Sequence, residues 1–275
     1  MNKKLRKFLI GEFSFKRIMT SLLLIPLLIY IGLLIYAYFY ADSVIFQAQS
    51  SSYRDDSNII KLKTADGKTI SARFFENPGA TQTILFSHGN AEDIGLLDST
   101  ADDFRKINFA FFAYDYRGYG TSEGTATEEG TYRDIDAAYE YLINDLKIPP
   151  EKIIVYGRSL GGAVSIDLAS RKRVGGLIAE STFVSAFRVL TKIQIAPFDK
   201  FPSIDKIKKV NCPVLFIHGR NDRIIPFWHG EKLFAEANEP KFSLWIERAD
   251  HNDVSDVGGE TYLKAIRDFA DNLPK

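Results

Sequence analysis

An uncharged apolar run near the N-terminus constrains this chain more than any other feature. From Ile18 to Ala41 the sequence reads IMTSLLLIPLLIYIGLLIYAYFYA and contains no charged residue. As a helix this run would extend about 36 Å, which exceeds a hydrocarbon core of about 30 Å. Pro26 and Gly32 are both tolerated within such spans. The run therefore predicts a single transmembrane helix over residues 18–41.

Two other interpretations of the run stay open. The first is a buried core helix, although a domain of this size has no need of one so long and wholly apolar. The second and stronger one is a cleaved signal peptide. Against it, the run exceeds a usual signal core, the basic leader is long, and the small-residue cleavage pattern near Ala41 is poor.

Charge is distributed unevenly along the chain. The whole sequence has 35 basic and 35 acidic residues, but the first 20 residues carry a net charge of +5, with Glu12 as their one acid. Basic flanks of a span stay in the cytoplasm, so residues 1–17 predict a cytoplasmic leader. Everything after Asp42 should then lie on the opposite side, periplasmic or extracellular in a bacterium. The zero balance gives no support for a nucleic-acid partner.

Cysteine content narrows the chemistry that the chain can use. Cys212 is the single cysteine among 275 residues. One thiol excludes an intramolecular disulfide framework and any thiolate-rich zinc or iron–sulfur site. Because 45% of the residues are hydrophobic, the chain can bury a substantial core. Its length fits one large domain with an appendage, or at most two small domains.

Beyond the apolar run, strand and helix patterns alternate. Residues 42–57 are polar and predict a tether, and residues 58–275 predict one domain. Short apolar runs predict strands at 59–64, 69–75, 83–88, 110–115, 153–157, 176–180, 213–219 and 242–247. Helical patterns fall at 92–106, 128–144, 160–171, 226–237 and 260–272. After an edge hairpin at Asp66-Gly67, this alternation predicts a mostly parallel eight-stranded sheet with helices on both faces.

One insertion interrupts the alternation. Residues 183–210 separate two predicted strands and predict a small lid over the strand ends. The apolar and aromatic residues of FDKFPSIDKI in this segment could line a substrate channel. Packing on the sheet would explain them equally well.

A strand-to-helix turn carries the clearest chemical motif. Directly after the strand IIVYG, residues Gly157 to Gly161 read GRSLG, which is a G-x-S-x-G pattern. The pattern alone is weak, but a sharp turn between strand and helix projects the central side chain at the carboxyl edge of the sheet. The flanking glycines remove steric clashes there. Ser159, at the positive end of the following helix, is therefore the candidate nucleophile.

A serine hydroxyl needs a nearby base to accept its proton. Among the four histidines, His251 is best placed, because it follows the last predicted strand and precedes the final helix. His88 and His218 end strands within His-Gly turns, where a hydrogen-bonded structural role is favoured. His229 falls in the first turns of a helix, where a surface or packing role is favoured.

An acid must hold the imidazole in the correct tautomer. Asp222 follows the strand PVLFIHG and occupies the position that an orienting acid needs. Asp250 and Asp253 are interpreted as loop residues, because neighbours in sequence rarely face the ring correctly. Glu180 ends the preceding strand and remains the alternative acid.

Acyl transfer also needs donors for the developing oxyanion. The Leu160 backbone N–H, directly after the candidate nucleophile, is one such donor. The turn SHGNA after the third strand supplies another, and the Asn90 backbone N–H is the predicted one. Taken alone, that turn would be interpreted as an ordinary connection from strand to helix. The combination of four features at the correct strand ends favours catalysis.

The segments that carry these residues resemble the α/β-hydrolase superfamily. They are FSHGNAEDIG, YDYRGYGTSEG, YGRSLGGAVSIDLA, FIHGRNDRIIPFWHG and ADHNDV. The closer resemblance is to membrane-associated serine hydrolases that include the eukaryotic protein depalmitoylases and their bacterial relatives. It implies an α/β-hydrolase fold with Ser159 as nucleophile, Asp222 as acid and His251 as base, in the chain order of that superfamily. It also implies that Asn90 and Leu160 donate to the oxyanion.

The resemblance runs from about Ile59 to Leu273 and departs from the depalmitoylase pattern at the N-terminus. Depalmitoylases are tethered by a lipidated, cysteine-rich N-terminus, whereas this chain has no cysteine before Cys212 and an apolar run instead. Arg117, in DYRGYG, resembles a family residue that braces the loop after the fourth strand, and a structural role is expected for it.

Residues and resemblance together predict a membrane-anchored serine hydrolase. It would cleave carboxylic esters or thioesters of acyl or lipid-like substrates through an acyl-enzyme on Ser159, with no metal or organic cofactor. The predicted partners are a small-molecule or acylated substrate and the membrane. Two alternatives remain, namely an amidase or peptidase that uses the same triad, and a catalytically silent hydrolase fold that serves as a membrane-bound binding module.

Overall fold

A computed structural model of the chain describes residues 15–274. The predicted basic leader, residues 1–17, therefore lies outside the described residues except for its last three positions, which are helical. The chain divides into two compact units. The first ends at Val44 and the second begins at Ile45.

A long apolar helix, α1, runs from Phe15 to Ile45. The stretch from Ile18 to Ile45 is long and apolar enough to cross a membrane. The helix continues four residues beyond the predicted end at Ala41, because backbone hydrogen bonding does not require apolar side chains. Within this extension the Ser43 hydroxyl donates to the Tyr40 carbonyl oxygen at 2.8 Å, which is a common way to accommodate serine in a helix.

The second unit contains one sheet of eight strands. In chain order these are β1 (Ile60–Lys63), β2 (Thr69–Phe75), β3 (Gln82–Ser87), β4 (Phe109–Tyr114), β5 (Ile153–Arg158), β6 (Gly176–Glu180), β7 (Val214–Gly219) and β8 (Lys241–Ile246). Their order across the sheet is β1-β2-β4-β3-β5-β6-β7-β8. β1 pairs with β2, and β2 with β4, in antiparallel fashion, and the remaining pairs are parallel. The predicted mostly parallel sheet with an edge hairpin is confirmed.

Helices cover both faces of this sheet. The helices of the second unit are α2 (Asp98–Lys106), α3 (Glu128–Asn144), α4 (Leu160–Arg171), the single-turn α5 (Ser203–Lys206), α6 (Trp228–Glu236) and α7 (Val254–Asp271). One apolar cluster joins the sheet to α3, α4 and α6, and the other joins it to α2 and α7. Phe104 and Phe269 are nearly fully buried in the second cluster. Side chains of that size each contribute about 1.5–3 kcal/mol on burial.

Local signals explain why α3 and α4 match their predicted bounds. The Thr127 hydroxyl accepts the Gly130 N–H at 3.1 Å and so caps the first turn of α3. Glu128 and Glu129 follow in that turn, where the helix dipole favours acids. α4 begins directly after Ser159, at the sharp turn described below.

The final helix differs from its prediction. The sequence predicts a start at Glu260, whereas α7 begins at Val254 and contains a break at Gly259, where φ is +48°. Glycine adopts this left-handed conformation without a steric penalty. The predicted start was therefore wrong because Gly258-Gly259 marks a break within the helix, not its beginning. Similarly, the predicted helix over 92–106 is split into a 3₁₀ turn, Ile94–Leu96, and α2.

The predicted lid segment, residues 183–210, contains only short helical pieces. These are 3₁₀ turns at Phe187–Val189 and Ile207–Lys209 together with α5. Phe183 and Phe201 are buried, whereas Leu190 is 87% exposed and Ile193 is 70% exposed. The segment thus has a packed base and an apolar outer surface.

Candidate active site

Ser159 lies in a strained turn between β5 and α4. Its φ is +55° and its ψ is −116°, a conformation that non-glycine residues rarely adopt. The turn is closely packed, because a Cβ on Gly157 would lie 2.0 Å from the Gly161 carbonyl oxygen, and a Cβ on Gly161 would lie 2.0 Å from the Ser87 carbonyl oxygen. Only glycine fits at either position, so the two glycines allow the sharp turn that holds Ser159.

The structure brings Ser159, His251 and Asp222 together. His251 Nε2 lies 3.0 Å from Ser159 Oγ, and His251 Nδ1 lies 2.7 Å from Asp222 Oδ2. Ser159 lies in the turn after β5, Asp222 in the turn after β7, and His251 in the loop before α7. An ionised carboxylate can only accept, so His251 Nδ1 carries the proton and Nε2 is free to accept from the serine hydroxyl.

Asp222 is buried and fully hydrogen-bonded. Its Oδ1 accepts the N–H groups of Ile224 and Ile225 at 2.9 and 2.7 Å, and its Oδ2 also lies 3.3 Å from His218 Nε2. Burial raises the pKa of Asp222, but the hydrogen bonds from His218 and His251 outweigh it, so that pKa lies well below its usual range. Asp222 therefore stays ionised at any pH near neutrality.

The three other histidines have structural surroundings. His88 is buried against Tyr116, with 4.4 Å between ring centroids, and lies 3.4 Å from Asp115. His218 Nε2 lies 2.9 Å from the Ile225 carbonyl oxygen as well as near Asp222.

His229 is held by the insertion that precedes it in the chain. Its Nδ1 accepts the Val184 N–H at 3.2 Å. Burial, together with the nearby His218 and Arg188, lowers the pKa of His229 to about 4, so this ring is neutral near pH 7. The structure thus leaves only His251 beside Ser159 among these rings.

Glu180, the alternative acid, is directed to different partners. Its carboxylate accepts the Tyr262 hydroxyl at 2.8 Å and also the Tyr156 hydroxyl. Both tyrosines are buried, and their pKa values lie well above 10 because of burial and the nearby Glu180 charge. The structure therefore places Glu180 in a separate buried cluster, and the carboxylate bonded to His251 is that of Asp222.

Neighbouring acids in the histidine loop brace that loop. Asp250 Oδ1 accepts the N–H groups of Arg223 and His251, at 2.9 and 2.8 Å. Asp253 Oδ1 accepts the Asp250 N–H at 2.6 Å.

Arg117 lies away from the site, where it pairs with Asp66 and Asp134, both at 2.8 Å.

The turns after β3 and β5 each contain a backbone N–H group that has no acceptor within the described residues. One belongs to Leu160, the first residue of α4, and such N–H groups at a helix start lack intrahelical partners. The other belongs to Asn90, in the turn after β3. That turn contacts the nucleophile turn, since the Ser87 carbonyl oxygen packs against Gly161.

Glu92 and Arg158 link the two turns, and sequence inspection missed both. Glu92 Oε1 accepts the Gly89 N–H at 2.6 Å, and its other oxygen accepts from the guanidinium of Arg158. Burial raises the pKa of Glu92, but the charges of Arg158 and His88 together with the hydrogen bonds from Arg158 and Gly89 outweigh it, so the pKa lies below its ordinary value. The spacing Gly-x-x-Glu in GNAE was a usable signal, because it resembles a side-chain cap of a turn.

His218 is a further residue whose position was not predicted. The sequence indicates a structural role in a His-Gly turn, but not the contact with Asp222. The separation of four residues in HGRND would allow it. In the described part of the chain, no group of three or more His, Cys, Asp or Glu side chains could hold a metal ion.

The fold resembles solved esterases and hydrolases. An esterase from Pyrococcus furiosus superposes with a TM-score of 0.70 at 18% identity, covering 83% of this chain and 98% of its own. Est1E from Butyrivibrio proteoclasticus, solved with bound ferulic acid, superposes with a TM-score of 0.62 at 17% identity, covering 76% and 96%. A sheet of this order with a serine-bearing turn after β5 defines an α/β-hydrolase.

Sequence relatives narrow that class. A family described as serine aminopeptidase, S33, matches residues 78–200. Human α/β-hydrolase domain-containing protein 17B is 42% identical over 225 residues, covering 80% of this chain and 77% of the relative. The Caenorhabditis elegans protein aho-3 is 41% identical, covering 70% and 59%. The chain belongs to the α/β-hydrolase domain-containing protein 17 family, and the predicted superfamily resemblance is confirmed.

Proposed function

We propose that this protein is a membrane-anchored serine hydrolase that cleaves carboxylic esters or thioesters of acyl or lipid-like substrates. One observation carries the proposal, namely the hydrogen-bonded line from Ser159 Oγ to His251 Nε2 at 3.0 Å and from His251 Nδ1 to Asp222 at 2.7 Å. This is the geometry that activation of a serine nucleophile requires. The buried, ionised Asp222 supports the role of orienting acid.

In the proposed reaction, Ser159 Oγ attacks the acyl carbonyl carbon while His251 Nε2 takes the hydroxyl proton. The resulting oxyanion accepts hydrogen bonds from the N–H groups of Asn90 and Leu160. The intermediate then collapses, and the leaving alcohol or thiol receives the proton from His251. Water, deprotonated by the same ring, attacks the acyl-enzyme, and His251 returns this proton to Ser159 Oγ as the carboxylic acid leaves. Asp222 stabilises the transient imidazolium throughout.

The substrate class follows from apolar surfaces. The lid segment presents Leu190 and Ile193 to solvent, and α1 presents a row of exposed apolar side chains. Such surfaces favour acyl chains and a bilayer over polar substrates. The solved esterases described above share only the fold with this chain, and ester cleavage is a reaction that this fold can carry out.

The proposed topology follows the positive-inside rule. With six basic residues in the first 20 and α1 as the span, the leader would be cytoplasmic and the hydrolase unit would face the opposite side. Protease added outside intact cells or spheroplasts should digest the hydrolase unit. Digestion only after the membrane is opened would reverse the orientation.

Fluorophosphonate labelling tests the chemistry. The full chain in detergent should label covalently, and Ser159→Ala should label at least about 10³-fold more slowly, because the nucleophile is lost. A series of acyl esters and thioesters of increasing chain length then reads out the substrate class. Absence of Ser159-dependent labelling in folded protein would falsify the serine mechanism, and activity confined to the shortest chains would contradict lipid-like substrates.

Peptide cleavage is the second candidate, because the matching family is described as serine aminopeptidase. The same three residues would perform it, with an amine as leaving group. Aminoacyl p-nitroanilides compared with p-nitrophenyl esters at equal concentration separate the two. A kcat/KM for the anilides equal to or above that for the esters would favour the peptidase.

A further inference from the structure

A segment without helix or strand connects α1 to β1, and its first part lies against the proposed oxyanion turn. We call residues 45–53, which are the last residue of α1 and the first eight residues of this segment, the strap. Composition suggests a flexible tether here, but the strap belongs to the compact hydrolase unit that begins at Ile45. Its polar groups bond to the loop after β3 and to the loop after β4.

The side chain of Asn90 fastens the strap at its start. Its amide Nδ2 donates to the carbonyl oxygen of Ile45. Its Oδ1 accepts the Gln47 N–H at 3.0 Å and the Tyr119 hydroxyl at 2.7 Å. The Tyr119 hydroxyl is itself 3.2 Å from the Gln47 nitrogen. Every hydrogen bond of this side chain therefore ends on the strap or on the residue that also holds the strap.

A second set of bonds fastens the strap at its end. Ser52 N–H donates to Asp93 Oδ2 at 2.7 Å, and Asp93 caps the 3₁₀ turn by accepting the Gly95 N–H at 3.0 Å. The Tyr53 hydroxyl donates to Asp115 Oδ2 at 2.5 Å. Packing here is close, because a Cβ on Gly95 would lie 2.4 Å from the Ser52 hydroxyl. The strap is thus fixed at its start by Asn90 and at its end by Asp93 and Asp115.

These contacts bear on chemistry because Asn90 has two separate roles. Its backbone N–H has no acceptor within the described residues and is the proposed oxyanion donor, whereas its side chain bonds only to the strap and Tyr119. A donor in an oxyanion hole must be held to within a fraction of an ångström to act on the transition state. The strap therefore fixes the orientation of Asn90, whose backbone N–H is the proposed oxyanion donor.

We propose that the Asn90 side chain is a positioning residue, through which the strap sets the oxyanion donor of the hydrolase. This inference rests on the proposed function. A strap that only stabilised the fold would lower the melting temperature of strap variants without changing how tightly the site holds a transition-state mimic. If the strap positions Asn90, strap variants should also bind a transition-state mimic less tightly.

The experiment uses the full chain in detergent with a water-soluble short-chain p-nitrophenyl ester and a trifluoromethyl ketone, which forms a tetrahedral oxyanion adduct with serine. Asn90→Ala keeps the backbone N–H of residue 90 but removes every hydrogen bond that the Asn90 side chain makes to the strap. We expect kcat to fall about 10- to 100-fold with KM within about twofold, since only a transition-state interaction is weakened. The Ki of the ketone should rise by a similar factor.

Strap variants separate positioning from local damage at Asn90. Gln47→Pro removes the N–H that bonds to Asn90 Oδ1. Ser50→Pro is its matched control, because Ser50 is exposed and its N–H has no acceptor within residues 15–274, whereas the Gln49 side-chain amide donates to the Gln47 carbonyl oxygen. Gln47→Pro should reproduce the fall in kcat and the rise in Ki at about tenfold, while Ser50→Pro should leave both within twofold. Tyr119→Phe, which removes a single hydroxyl, serves if either proline variant fails to fold, with an expected loss of about threefold.

The outcomes are distinct. Loss of thermal stability in Asn90→Ala or Tyr119→Phe with unchanged kcat and Ki overturns the positioning role while leaving the proposed function intact. Equal effects of Gln47→Pro and Ser50→Pro on folded protein also overturn it. No Ser159-dependent hydrolysis by the unsubstituted chain overturns the proposed function and this inference together.

Discussion

The two sides of Ser159 are supported in different ways. On the acid–base side, near neighbours in sequence hold each residue: Asp222 accepts the Ile224 N–H, and the His251 N–H donates to the Asp250 carboxylate. On the oxyanion side, Asn90 is held by Ile45 and other residues that are distant in sequence. Each acid–base residue is therefore oriented by its own loop before the fold brings the loops together, whereas the orientation of Asn90 itself depends on distant segments.

This difference predicts different responses to substitution. The acid–base side performs proton transfer through two side chains, so a single atom change alters chemistry directly. The oxyanion side acts through backbone N–H groups, which every substitution except proline leaves in place, so its other variants act through geometry. We expect large all-or-none effects on the first side and graded effects on the second.

Asp222→Asn should have the largest effect. The asparagine can present its amide hydrogens to His251 Nδ1 and so favour the wrong tautomer, and we expect kcat to fall about 10³- to 10⁴-fold at pH 7. Steady-state hydrolysis of a p-nitrophenyl ester measures it. Asp250→Asn is the matched control, since that carboxylate bonds to Arg223 and to backbone, and its kcat should stay within about threefold. A fall below tenfold for Asp222→Asn would mean that another group orients the ring.

Gly161→Ala tests the contact between the two sides. The new methyl would lie 2.0 Å from the Ser87 carbonyl oxygen and would push the β3 loop away from the nucleophile turn. We expect a loss of about 3 kcal/mol or more in unfolding free energy, measured by denaturant titration. Gly79→Ala, where the nearest atom is 3.8 Å away, should be neutral or slightly stabilising. Equal stability of the two variants would contradict the described packing.

Glu92→Gln should give a smaller, graded effect. The glutamine keeps the length of the side chain but loses the charge that pairs with Arg158 and strengthens the bond to the Gly89 N–H. We expect kcat to fall about tenfold with little change in KM, equivalent to about 1.4 kcal/mol in the transition state. Glu129→Gln, in an exposed pair with Arg133, is the control and should have no effect on kcat.

The pH dependence of stability gives the smallest effect. The folded pKa of Asp222 lies below its unfolded value of about 3.9, so its stabilising contribution is complete above that value and declines as the pH falls toward the folded pKa. The difference in unfolding free energy between the unsubstituted chain and Asp222→Asn should therefore shrink between pH 6 and pH 3. Denaturant titrations at fixed pH measure it, and a difference that grew on acidification would reverse the assigned sign.

Sequence patterns predicted correctly those elements whose bounds are set by residues within the element itself. Strand β2 and helices α3 and α4 have their predicted bounds, because period, caps and turn glycines lie within the segments themselves. Ser159, Asp222 and His251 could be predicted because each ends a strand or follows one. Their meeting in the structure matches that expectation, while their catalytic role stays a prediction.

Other features depend on contacts that no local pattern encodes. The bonds from Asn90 to Ile45 and Gln47 join segments more than forty residues apart in the chain. Polar composition before β1 predicts a tether, and the hydrogen bonds from this segment to the loop after β3 cannot be inferred from composition. The contact of His218 with Asp222 depends on how the turn after β7 folds, which is a tertiary property.

The junction at Ile45 also bears on how such a protein can change over evolution. The hydrogen bonds that Asn90 makes to the chain before β1 end on Ile45 and Gln47, both of which belong to the hydrolase unit. If these bonds set the oxyanion donor as proposed, a relative with a different anchor has to keep them. We therefore expect residues 45–53 to be retained together with the hydrolase unit where the anchor varies.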